Sequence, residues 1–281
     1  CGYQINAGTR NEEPGEEGLA HFCEHVTFKG TERRKAWHIL NCLESVGGDL
    51  NAYTNKEGTV YYSAILKEHI ARAVDLLTDI VFHSVYPQAE IDKEVEVICD
   101  EIESYNDSPA ELIYDEFENI IFKGSPLGHN ILGTAEQVRS FKTEDALRFT
   151  RKLYRPDNAI FFAYGDIDFK KLVRLLQRAL ADDESVVNLA EEKLPQISQI
   201  TQISWNENSI AEEKSVSSVK SVGPKNYPSV GDGIAGQTIV MQKNTHQAHV
   251  MIGTRAYDVN DSRRMPLYLL NNMLGGPGMN A

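Results

Sequence analysis

The sequence runs to 281 residues, 41% hydrophobic and 25% charged, the balance of a globular protein with enough apolar material for one large core or two ordinary ones. Its formal charge of -13, from 41 acidic against 28 basic residues, argues against nucleic acid as a partner, because phosphate binding needs clustered Lys and Arg; a basic peptide suits it better. No apolar run is long enough to cross a bilayer, no basic-then-apolar leader opens the chain, and no membrane partner is expected.

In chain order, CGYQINAG opens as if already inside a strand, so a first strand of the domain is expected upstream. The turn NEEPGEEG places acidic residues where a helix amino terminus favours negative charge, and a helix is predicted from about Glu17 to Phe28, stopped by Gly30. RRKAWHILNCLESV repeats apolar residues with a helical period and is closed by Gly47 and Gly48. LNAYT, the turn NKEG and TVYYSAIL read as a β-hairpin. Helical text follows in HIARAVDLLTDIVFHSVY and in the acidic QAEIDKEVEVICDEIESYND, interrupted near Pro109. TEDALRFTRKLY, the turn RPDN, the strand AIFFAYG and the helix DFKKLVRLLQRAL complete this part. The order predicts an α+β domain, a mostly antiparallel sheet with helices packed on one side, followed by the start of a second similar domain.

Composition shifts near Asp183, and residues 183–232 read as a polar, Ser-rich linker. Strand text resumes at QTIVMQK and AHVMIGTRAY, and SRRMPLYLLNNMLGG reads as a helix. Residues 233–281 are too few to close a second core, so a truncated domain is expected. Cys1, Cys23, Cys42 and Cys99 are scattered without CxxC spacing, which favours free thiols and tilts the compartment toward the cytoplasm without fixing it.

The chemistry concentrates in HFCEH. At about 100° per residue, His21, Glu24 and His25 share one face of a helix, and two imidazoles at i and i+4 can converge on one Zn²⁺ with the carboxylate beside its open position. Cys23 falls roughly 200° round from His21 and should point into the protein. A catalytic zinc needs a third protein ligand, and Glu94 and Glu101, two turns apart on the acidic helix, both face one way. Either completes a two-histidine, one-carboxylate site, with the other supporting a ligand from behind. Asp92, Glu96, Asp100 and Glu103 lie off that face. His129 reads as a loop residue, and His38, His69, His83, His246 and His249 lack matching spacing.

HxxEH is the inverse of the commoner HExxH zinc motif. Together with GGDLNAYTNKEGTVYY, EVEVICDEIESYNDSP, SPLGHNILGT and YRPDNAIFFAYGDID in that order, it makes the chain resemble the pitrilysin/insulinase metallopeptidases, a group that includes the processing peptidases. The resemblance implies a zinc-binding peptidase domain over residues 1–182, with His21, His25 and Glu101 as metal ligands, Glu24 as the general base and Glu94 as an acidic residue supporting the site. It implies that Asn51, Ala52, Tyr53 and Thr54 pair with a peptide or unfolded polypeptide as an added strand. The implied activity is zinc-dependent endo- or oligopeptidase hydrolysis through metal-activated water, the alternative being a non-catalytic peptide-binding or core subunit of the same fold. The resemblance further implies a homo- or heterodimer of related halves. The family's second domain contributes an Arg and a Tyr that hold substrate, and the sequence stops at LGGPGMNA before that motif, so these residues by themselves are expected to be able to bind zinc without completing the reaction.

Overall fold

A computed structural model of the chain describes residues 1–181, 239–242 and 247–275. It divides into two compact units, residues 1–198 and 199–281. The expected linker at 183–232 lies outside the described residues.

The first unit is α+β. Four strands, β1 (Gly2–Ile5), β2 (Asn51–Thr54), β3 (Thr59–Tyr62) and β4 (Ala159–Phe162), form one sheet in the order β2-β3-β1-β4 with every pairing antiparallel. The register fixes the faces, since alternate residues of a strand point to opposite sides. Tyr3 lies opposite Tyr61 and Phe161, and Tyr61 opposite Ala52, so these four share one face. Tyr3 and Tyr61 are buried there, and Tyr3 meets Phe82 and Phe161 edge-on at 5.1 and 4.9 Å. Gln4, Tyr53 and Ile160 lie on the other face and are exposed. The helices therefore cover one side.

Helices α1 (Leu19–Thr27), α2 (Ala36–Glu44), α3 (Ile70–Phe82) and α4 (Gln88–Asn106) are followed by α5 (Pro109–Ile121), α6 (Ala135–Ser140), α7 (Thr143–Leu153) and α8 (Phe169–Ala179). Helix α1 begins two residues later than its sequence suggests. Gly18 holds φ at +95°, a left-handed conformation that breaks the helix and that glycine adopts without strain. Between α4 and α5 the chain bends over Asp107 and Ser108, and Pro109 opens α5, where a missing N–H costs nothing. The sequence marks no element between Pro109 and Thr143. The structure places α5 and α6 there.

In α4, Ile91, Val95, Ile98 and Ile102 are buried at steps of four, three and four, a stripe that packs inward. All four cysteines are free, and Cys23 is fully buried, as its angle on the helix requires. In the second unit a helix spans Arg264–Gly275, with Pro266 tolerated in its first turn. Where strands are expected, at QTIVMQK and AHVMIGTRAY, none of the described residues in either run belongs to one. A β-branched run becomes a strand only when a ladder satisfies its backbone, and neither run enters one among the described residues.

One buried charge fastens the turn after α1. Asp79 on α3 has a fully buried side chain and accepts from Thr31 Oγ1 at 2.8 Å, Arg33 Nε at 3.0 Å and Arg34 Nη1. Removing it leaves Thr31 Oγ1 and Arg33 Nε without this acceptor and Arg34, only 19% exposed, with the half-exposed Asp75 as its remaining carboxylate. Asp79→Ala should therefore lower the free energy of unfolding by about 3 kcal/mol, read as a shift in the urea midpoint at unchanged slope. Asp75→Ala, at a carboxylate that is half exposed, should cost less than about 1 kcal/mol in the same titration.

Candidate metal centre

Helix α1 carries the site because it is two-faced. Leu19, Phe22, Cys23 and Val26 are fully buried, and the remaining side holds His21, Glu24 and His25 beneath α4 and β2. The two rings lie 4.6 Å apart between centroids. Their Nε2 atoms converge on one carboxylate of α4: His21 Nε2 is 3.7 Å from Glu101 Oε1, and His25 Nε2 is 3.2 Å from Glu101 Oε2. One donor atom from each of the three residues lies within 4.8 Å of the other two, the cluster that could hold an ion among the described residues.

The ring orientation is fixed from behind. His25 Nδ1 donates to Glu94 Oε1 at 3.0 Å, which leaves the Nε2 lone pair for a cation. Glu94 is also paired with Lys29 Nζ, so its charge is balanced on both sides. Helix spacing leaves Glu94 and Glu101 interchangeable as third ligand, and the family resemblance assigns Glu101. In the structure Glu101 meets both Nε2 atoms, and Glu94 meets the far nitrogen of one ring.

Charge explains what the cluster wants. Burial, then the neighbouring His25 cation, lower His21 to about 4, with Glu101 opposing. Burial also works against a charge on His25, but hydrogen bonds with Glu101 and Glu94 outweigh it and raise this ring to about 9. Glu101 is held below the usual carboxylate range, chiefly by its hydrogen bond to His25. Glu94 is lowered as well: burial pulls it up, but the hydrogen bonds of His25 and Lys29 prevail. One positive charge is therefore stable between the rings and Glu101, and a divalent ion can take the proton's place. The donor set of two imidazoles and a carboxylate fits such an ion with a coordination position to spare.

Glu24 stands beside this point without being a donor to it. Burial raises its carboxyl, and a hydrogen bond with the Thr54 side chain partly offsets the shift. Its Oε2 is buried with no hydrogen-bond partner among the described residues. The contact also places β2, the edge strand, along the site. Asn51 and Tyr53 are exposed on it, and Ala52 and Thr54 are half-buried. Asp92, Glu96, Asp100 and Glu103 are exposed away from the cluster.

Sequence reasoning missed Glu12. Its side chain is 1% exposed, and it accepts from the Gly18 and Ala20 amides at 3.2 and 2.8 Å, capping α1 from six and eight residues upstream. The acidic turn before the helix is the only signal that could have pointed to it. His129, read as a loop residue and found in the segment between α5 and α6, is its partner: Nε2 lies 2.7 Å from Glu12 Oε2.

A profile described as Insulinase (Peptidase family M16) matches residues 1–135, and one described as Peptidase M16 inactive domain matches residues 140–280. An uncharacterized zinc protease of Bacillus subtilis is 30% identical over 275 residues, 98% of this chain and 58% of its own. The beta subunit of the mitochondrial-processing peptidase of Saccharomyces cerevisiae is 38% identical over 177 residues, 63% of this chain and 38% of its own. The crystal structure of a protease from Helicobacter pylori superposes with a TM-score of 0.62 at 25% identity, covering 64% of this chain and 44% of that one. The chain thus spans about half the length of such relatives, or less.

Because His25 is protonated at pH 7 and His21 is not, loading an ion should release about one proton. The sign follows: affinity weakens as pH falls below about 9, since protons compete for His25. Calorimetric Zn²⁺ titration in buffers of different ionisation enthalpy measures that proton. In the same titration Glu94→Ala should weaken binding roughly 10- to 100-fold, and His25→Ala should abolish it.

Proposed function

Given that the chain belongs to the insulinase family of peptidases, M16, we propose that it carries the catalytic centre of a zinc-dependent endo- or oligopeptidase. The observation that supports this most is the convergence of His21 Nε2, His25 Nε2 and Glu101 on one point with the unpartnered Glu24 Oε2 alongside. His21, His25 and Glu101 would hold the ion, and Glu94 would orient His25. A bound zinc would supply Lewis-acid polarisation of the scissile carbonyl and of water.

The rest falls to the chain. Burial raises Glu24, which makes its carboxylate a better base than an exposed glutamate, and it lies close enough to His25 and Glu101 to feel their charge. Glu24 takes a proton from the attacking water as the new C–O bond forms. It then gives that proton to the amine nitrogen as the C–N bond breaks, so no net proton is consumed. Thr54 holds the other side of the carboxylate in place.

The substrate is a peptide or an unfolded polypeptide laid along β2. Among the described residues β2 pairs within the sheet with β3 alone, which leaves one rim of the strand for an added strand. Main-chain pairing reads no side chains and accommodates many sequences. The residues assigned these roles all fall within the stretch matched by the insulinase profile, and none within the stretch matched by the inactive-domain profile. Work is therefore divided between this half and a related one, in the same chain or in a homo- or heterodimeric partner.

The test uses the full-length protein and an unstructured fluorogenic peptide. Cleavage should be lost on chelation and return with Zn²⁺. Glu24→Gln should keep the metal, measured by mass spectrometry, and lower kcat by about 10²- to 10⁴-fold. Wild-type turnover by that variant would remove Glu24 from the reaction, and chelator-insensitive cleavage would remove the zinc reading altogether.

A further inference from the structure

His129 lies in the segment between α5 and α6, far in sequence from both α1 and β2, and yet it is bonded to Glu12, which caps α1, and to Lys56, in the turn that follows β2. Its ring donates through Nε2 to Glu12, whose carboxylate holds the Gly18 and Ala20 amides at the start of α1, the residue before His21. Its carbonyl accepts from Lys56 Nζ, two residues beyond Thr54 in the turn that joins β2 to β3. The Lys56 side chain is only 13% exposed, and Glu118 of α5 lies 3.8 Å from its Nζ. A lysine held this deep, between a carbonyl and a carboxylate, has few other conformations open to it.

The contacts close a ring. Backbone N–H groups of Thr9 and Arg10 donate to the carbonyls of Asn55 and Lys56 in the hairpin turn, at 3.3 and 2.7 Å. Glu12 follows two residues later, and its own N–H donates to Thr9 at 3.1 Å. The path thus runs from the hairpin turn through residues 9–12 to Glu12, from Glu12 to His129, and from His129 through Lys56 back to the turn. His129 supplies two of these joints. The loop that carries it is pressed against the helix start: a Cβ on Gly133 would lie 2.2 Å from the Glu17 carbonyl oxygen, and one on Gly18 would lie 2.6 Å from that of Leu132. Burial would by itself push Glu12 toward the neutral acid, and the His129 hydrogen bond is the largest influence drawing it back.

We propose that His129 is a positioning residue that locks α1 to the β2–β3 hairpin, its ring holding the cap of the helix bearing His21, Glu24 and His25 and its carbonyl holding the turn beyond the substrate-pairing strand. This rests on the peptidase reading above. Its consequence is that the distance between Glu24 and a peptide lying on β2, held at one point by the Thr54 contact, also depends on a residue that touches neither. Reaction geometry is sensitive to this, since a displacement of about 1 Å can cost roughly 100-fold in rate.

The experiment compares wild type, His129→Ala and His129→Gln in the full-length protein, by hydrogen–deuterium exchange and by kcat and KM on one unstructured peptide. Glutamine keeps an N–H that can donate to Glu12; alanine does not. In His129→Ala, which keeps the carbonyl but releases from Glu12 the loop that presents it to Lys56, exchange should rise both at residues 18–22 and at residues 51–58, kcat/KM should fall by about 10- to 100-fold, and zinc content should be unchanged. His129→Gln should restore most of the loss. Exchange that rises only within residues 123–134, or a lowered melting temperature with wild-type kcat/KM well below it, overturns the proposal. A wild-type protein that binds zinc but cleaves nothing removes the peptidase reading, and the exchange pattern then decides by itself whether His129 joins the two elements.

Discussion

Two imidazoles and a carboxylate aimed at one point cannot be stable without positive charge between them, and the arrangement of α1 against α4 follows from supplying it. His21 is nearly buried and resists protonation, while His25 keeps a proton because Glu101 and Glu94 face it from both sides. The same Glu101 oxygens that hold the proton are those an ion would take. Glu94, neutralised by Lys29, is tied to the back of the ring and does not compete. Electrostatic need is thus met by placement, with each carboxylate given one task by the nitrogen it reaches.

That placement depends on a helix of nine residues having two incompatible faces. One face is all core, down to the fully buried Cys23, and cannot rotate without exposing Phe22 and Val26. The opposite face must then point at α4 and β2. Stability and chemistry use the same rotational setting, so nothing beyond the core is needed to aim the histidines. What the core does not set is the slide of α1 along its axis. There the cap matters: Glu12 pins the first amides, and the segment around His129 and Gly133 presses on the helix start.

The sheet brings the second ingredient. Its order places β2 at an edge, and the Thr54 contact with Glu24 means that this edge runs beside the reacting carboxylate. An edge strand is ordinarily a hazard because its free amides and carbonyls invite pairing. Beside a hydrolytic centre the same property is useful, since it presents any extended backbone to the site. Exposed Tyr53 and half-buried Tyr62, 6.2 Å apart between ring centroids, lie on the sheet face away from the helices.

Local pattern was enough wherever the determining period was short. The i, i+3, i+4 spacing of HFCEH put three groups on one face, the same geometry turned Cys23 inward, and the seven-residue step paired Glu94 with Glu101. Alternation and turn chemistry likewise announced the hairpin. Less regular text was silent: PAELIYDEFENII carries Asp115 among its inward positions, which blurs the helical stripe of α5. In the second unit, β-branched runs suggested strands where none of the described residues forms one, because propensity cannot supply a ladder. Which carboxylate faces the Nε2 atoms, why Glu12 is buried, and that His129 is bonded on two sides were decided only by tertiary structure. These depend on how α4, the turn before α1 and the segment between α5 and α6 meet in space, and contacts across 69 to 117 positions leave no periodic trace in a single chain. The sequence determined which groups could act together; folding determined how far apart they stand.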